Sequence, residues 1–118
     1  MQDHKKDLRD RTKQYALRII RLYSSLPQTK PAQIIGRQLL RSGTSVGANY
    51  RETCRARSNS EFISKKGIVI QELDETAYWL ELLFDATIDR TMNMTSLMTE
   101  TDELISIFTS IVKKVKDV

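Results

Sequence analysis

Few side chains in this sequence suit bond-making chemistry, and they are poorly matched to one another. There is one histidine, His4, and one cysteine, Cys54. A nucleophilic cysteine needs a base to take its proton, and no histidine other than His4 could serve. The same shortage rules against a Ser-His-Asp set. A carboxylate-bridged metal centre between helices needs Glu-x-x-His pairs on two helices and glutamates on two more. Glu72 and Glu75 cannot supply that set alone, so no metal and no cofactor are expected. Gly36, Gly43 and Gly47 do not form a phosphate loop. The chain therefore reads as non-enzymatic.

What the chain has in quantity is charge. Residues 1–58 carry thirteen Lys and Arg against four Asp and Glu, a net of +9, whereas residues 59–118 carry a net of −5. Such a basic half attracts phosphates. The residues that could meet nucleic acid are Arg18, Arg21, Arg37, Arg41, Arg55, Arg57, Lys65 and Lys66. Arg37 and Arg41 share a helix face, and Arg55 and Arg57 lie near Lys65 at a turn. Aromatic residues are not interleaved with these cations, so base stacking is not expected. Binding would follow the backbone, tolerate any base order and weaken steeply with salt. A second explanation fits the charge equally well: basic helices pair with acidic ones, within the molecule or between copies.

The elements that must position these residues all read as helix. Glycine is scarce, and period-two alternation is absent. The expected class is all-α, a single domain of four helices spanning about 3–25, 31–57, 60–88 and 95–116. Short connections make it an antiparallel up-down-up-down bundle. In the first helix Leu8, Tyr15, Ile19, Leu22 and Leu26 form an apolar stripe, and Pro27 ends it. Pro31 suits the first turn of the second helix, with Thr29 as cap. That helix has a small, polar inner line, and Gly43 and Gly47 imply close approach to a neighbour, taken to be the third helix. A break at Ser42–Gly43 is the alternative. Ser58-Asn59-Ser60-Glu61 is a capping box opening the third helix. Trp79 lies off its stripes, as an edge filler or a contact to another copy. Thr95 would cap the fourth helix, whose stripe includes Met98, Leu104, Phe108 and Val115.

If the second and third helices form a hairpin about Ser58–Asn59, facing positions sum to roughly 118. Arg41 and Arg51 then come within reach of Glu72 and Glu75, and buried charge pairs there would set the register. Asn49, on the inner line, needs a partner. No run of about 18 apolar residues suggests a membrane span. The charged start and lone cysteine fit a reducing cytoplasm.

Three pieces in order, QLLRSGTSVGANYRE (Gln38–Glu52), ARSNSEF (Ala56–Phe62) and ELDETAYWLELL (Glu72–Leu83), carry a family resemblance. The chain resembles the small four-helix-bundle proteins encoded within intervening sequences of bacterial 23S ribosomal RNA genes. It is also similar to the accessory variability proteins of diversity-generating retroelements. The resemblance implies a cytosolic, non-enzymatic ring, most often a homopentamer. It implies association with RNA or DNA, or with a protein partner that the ring would scaffold without touching nucleic acid itself. It carries over Ser42, Gly43, Ser45, Gly47, Asn49, Tyr50, Arg51, Glu72, Glu75 and Trp79 as family positions, mostly structural.

Overall fold

The computed structural model describes residues 2–116, with side chains described for residues 7–114. His4 and Val115 lie outside the described side chains. Four helices follow in order: α1 (Gln2–Ser25), α2 (Lys30–Thr53), α3 (Asn59–Asp85) and α4 (Met92–Lys116). Each packs on two neighbours, and the α1/α3 and α2/α4 pairs are diagonal. The result is an antiparallel four-helix bundle about 47 Å long and 22 by 20 Å across. No strand occurs among the described residues.

Helix α1 buries Leu8, Thr12, Tyr15, Ile19, Leu22 and Leu26 along one line. In α2 the buried line includes Leu39, Ser42, Val46 and Tyr50, and α2 runs unbroken through Ser42–Gly43. Its glycines do not face α3. A Cβ on Gly43 would lie 2.8 Å from Ile19 Cγ1, one on Gly47 3.2 Å from Thr12 Oγ1, and one on Gly36 2.8 Å from Leu26 Cδ1. All three contacts are with α1 or the residue just beyond it, so the expected intimacy belongs to α1 and α2. The α2/α3 seam is polar at its centre instead. Thr76 donates to Ser42 Oγ at 2.8 Å with both side chains buried, and these two numbers sum to 118.

Three helix boundaries differ from the sequence expectation by three residues or more: α2 ends at Thr53 rather than 57, α3 ends at Asp85 rather than 88, and α4 starts at Met92 rather than 95. Helix α2 stops at Thr53, short of Arg57. Arg55 and Ala56 donate to carbonyls three residues back, which tightens the chain into turns. Ser58 then adopts extended backbone and accepts from Glu61 N, the expected cap of α3. Helix α4 begins at Met92, because Thr91 rather than Thr95 caps it: Met94 N donates to Thr91 Oγ1 at 3.2 Å. Asp89 Oδ1 braces that cap by accepting from both the N–H and the hydroxyl of Thr91.

The end of α3 is a paired reversal with Thr87 in the left-handed region, at φ 57°. Ile88 N donates to Leu83 O and Thr87 N to Phe84 O, the two bonds of a Schellman motif. Glycine normally holds the left-handed position, and a β-branched residue there is strained. Thr87→Gly is therefore expected to raise stability by about 0.5–1 kcal/mol. Urea unfolding checks this; a loss of stability would show that the threonine hydroxyl, which donates to Ala86 O, outweighs the strain.

Candidate nucleic-acid interface

The eight cations singled out from the sequence fall into five settings. Arg18 and Arg21 lie on the α4 side of α1 and line a cleft of about 530 Å³ with Asp89, Thr91 and Asn93. Arg18 Nη2 donates to Ser96 Oγ at 2.9 Å. Arg55, Arg57 and Lys65 come together at the opposite end, around the α2–α3 turn. They line a shallow depression of about 340 Å³ with Glu52 and Glu61, so this cluster is mixed in sign. Arg37 is exposed on α2, one turn from Arg41.

Arg41 is taken up by carboxylates of α3: Nη2 lies 2.7 Å from Glu75 Oε1, and Nη1 lies 3.6 Å from Glu72 Oε1. The pair is not buried, since half of the Arg41 side chain is exposed. It is therefore a screened surface interaction, typically worth under about 1 kcal/mol. Burial and the neighbouring Glu75 push the Glu72 carboxyl up, while Arg41 pulls it down. Arg51 does not join the pair. It is exposed and makes no ion pair among the described residues. In the register that Ser42 and Thr76 set, Arg51 faces position 67. Glu72 is then five residues, roughly 7.5 Å, farther along the axis. Asn49 finds its partner within α2, donating to Ser45 O at 2.8 Å.

Lys66 is not a surface cation. It is 3% exposed, and its ammonium lies 4.1 Å from the Phe62 ring centroid, with Tyr50 and Phe108 near 5.5 and 5.7 Å. This is a cation–π arrangement in the core. The spacing already carries the signal, for Lys66 precedes Val69 and Leu73 by three and seven residues and so lies on their stripe. Of the Lys65–Lys66 pair only the first can look outward.

Two features escape the sequence reading. The first is the α1/α4 seam, the loosest of the four, which long polar side chains bridge. Arg11 donates to both oxygens of Glu100 at 2.8 and 2.7 Å and to Glu103 at 3.1 Å. These bonds hold the Arg11 guanidinium more firmly protonated. The Tyr15 hydroxyl meets Thr101 Oγ1 at 2.6 Å, and burial pushes its phenol up. The second feature is a basic margin where α1 meets α2. Arg9 and Lys13 flank Thr12, and Arg51 and Arg55 follow Gly47 by one and two turns; all four are exposed. Arg11 and Arg41 form ion pairs with carboxylates, and these four cations form none among the described residues.

Trp79 is half-buried against the core and edge-on to Tyr78. Its indole N–H is buried without a hydrogen-bond partner among the described residues. No group of metal-ligating side chains occurs among the described residues, and no helix there is long and apolar enough to cross a membrane.

Residues 5–110 match the model of the family described as 23S rRNA-intervening sequence protein. The chain is also similar to a crystal structure of a protein of unknown function from the S23 ribosomal protein family of Bacteroides thetaiotaomicron. The two share 36% identity over 92% of this chain and 97% of that one, with a TM-score of 0.84. No curated protein matches the chain.

Proposed function

Because this chain belongs to the 23S rRNA-intervening sequence protein family, we propose that it acts without catalysis, as a self-associating bundle that holds RNA or DNA by the phosphate backbone. One observation carries the reading. Arg9, Lys13, Arg37, Arg51, Arg55 and Arg57 are exposed on α1, α2 and the following turn, and no carboxylate pairs with them among the described residues. Intramolecular pairing therefore does not account for the basic half of the chain, and these cations remain available to phosphates. No aromatic side chain stands among them to read or stack a base. Contacts of this kind position a strand and do not specify its sequence.

The test is affinity against salt. Binding of a labelled RNA should fall linearly in log–log form, with a slope near −0.7 per neutralised phosphate on a single strand. Each of Arg37→Gln, Arg51→Gln and Arg55→Gln should reduce the magnitude of that slope by about 0.7 if its residue contacts a phosphate. Affinity unchanged between roughly 50 and 200 mM salt would defeat the proposal.

Self-association rests on a second observation. Ile20, Ile34, Ile68, Tyr78 and Met92 are large apolar side chains left exposed on a small bundle. The proposed assembly is a homopentamer in the cytoplasm, the arrangement that the family resemblance implies. Sedimentation equilibrium should return five times the 13.6 kDa chain mass. A monomer at micromolar concentration would remove this half of the proposal. A ring that bound a protein and no nucleic acid would instead be a scaffold, and recovery of one partner after nuclease treatment would favour that.

A further inference from the structure

We propose that the α1/α4 cleft is a binding site for a single 5′-phosphorylated nucleotide, either free or at the end of a strand. The cleft is distinct from the α1/α2 margin that the backbone-binding reading uses. Its volume, about 530 Å³, lies in the range of small-ligand sites. It lies along the α1/α4 seam, the loosest of the four. Its floor is apolar, made by Leu22 and Leu97, both nearly fully buried.

The polar wall of the cleft is specific in its chemistry. Arg18 is held in place by its bond to Ser96, whereas Arg21 is exposed and has no carboxylate partner among the described residues. Two guanidiniums one turn apart suit a terminal phosphate, which accepts bidentate charge-assisted bonds. The cleft also receives the first turn of α4 at Thr91 and Asn93; the Thr91 and Met94 N–H groups are taken by the cap, and that of Asn93, which lacks a helical acceptor, is left to favour an anion. Asp89 supplies the opposing charge. Its Oδ1 accepts from Thr91, and a carboxylate on the wall disfavours a bare polyanion while accepting hydroxyl donors. One phosphate on a ribose satisfies both demands: the phosphate meets the arginines, and a sugar hydroxyl meets the acid. No aromatic side chain lines the wall, so the site does not select a base.

Calorimetric titration of the full chain with uridine 5′-monophosphate and with uridine tests this. The nucleotide should bind saturably and at least about tenfold more tightly than the nucleoside. Arg21→Gln should weaken it by at least about tenfold, and Lys113→Gln, exposed near the far end of α4, should not; circular dichroism confirms that both variants fold. Competition by 5′-phosphorylated but not 5′-hydroxyl oligouridine would assign the site to strand ends. Failure of both oligomers to compete would assign it to the free nucleotide, and either result upholds the site. Loss of salt-dependent RNA binding with nucleotide binding intact would count against the backbone reading alone. Equal binding of uridine and its monophosphate, no saturable binding, or equal losses from Arg21→Gln and Lys113→Gln would overturn the inference.

Discussion

Gly43→Ala is expected to destabilise the bundle by about 1–3 kcal/mol, although alanine is the better helix former by roughly 1 kcal/mol. The added Cβ would sit 2.8 Å from Ile19 Cγ1 and 2.9 Å from Cγ2. Both γ carbons hang directly from the Ile19 β carbon, so no terminal rotation clears the clash. Ile19 is also fully buried. The two helices must separate or Ile19 must leave its rotamer, and either loses packing around it. Gly67→Ala is the control, because a Cβ there meets nothing within 4 Å. It should stabilise α3 by up to about 1 kcal/mol. The double variant Ile19→Ala with Gly43→Ala should cost at least about 0.5 kcal/mol less than the sum of the singles. Denaturant unfolding of the four variants reads all of these values. A Gly43→Ala protein as stable as the parent would mean that α1 and α2 are not held at this separation.

Phe108→Ala should cost more, about 3–5 kcal/mol. Phe108 is fully buried on α4, edge-on to Tyr50 of α2 at 5.3 Å, and beneath the Lys66 ammonium of α3. Truncation leaves a void where three helices converge and removes one ring from beside a desolvated cation. Phe108→Leu keeps most of the volume and should lose chiefly the ring terms, about 0.5–1.5 kcal/mol beyond the change in area. Lys66→Met preserves the stem packing while removing the charge, and should cost less than Phe108→Ala. A loss below about 1 kcal/mol for Phe108→Ala would show that this end of the bundle collapses readily around the gap.

The contrast between these sites shows which parts of the fold the sequence discloses. Residues Leu8 to Leu26 recur at helical spacing, and every one of that stripe is buried. Ser58 and Glu61 announce the start of α3 by local chemistry alone. The hairpin register needed only the position of the turn, and the Ser42–Thr76 bond lies on it. Gly43 and Gly47 disclose a close approach but not its direction, because a helix in a square bundle has two neighbours and periodicity does not name them. The arginines beside them drew attention to α3, whereas Ile19 and Thr12 of α1 occupy the space. Arg11 and Glu100 were hidden for a related reason. They are 89 residues apart, and nothing local sets the register of α1 against α4. For the candidate contacts, side-chain type marked Lys66 as a surface cation, and its place in the helical repeat put it inside.

The loose seam between α1 and α4 has a kinetic consequence. The other three seams join helices consecutive in the chain, so each can form as a local hairpin with little loop entropy to overcome. The α1/α4 contact is the one long-distance closure, and polar bridges such as Arg11–Glu100 help to secure it. Folding should therefore finish there, and native-state breathing should begin there, with the amides facing that edge losing hydrogen-exchange protection first. The molecule resembles a bracelet whose clasp is made of ions, which opens without disturbing the links.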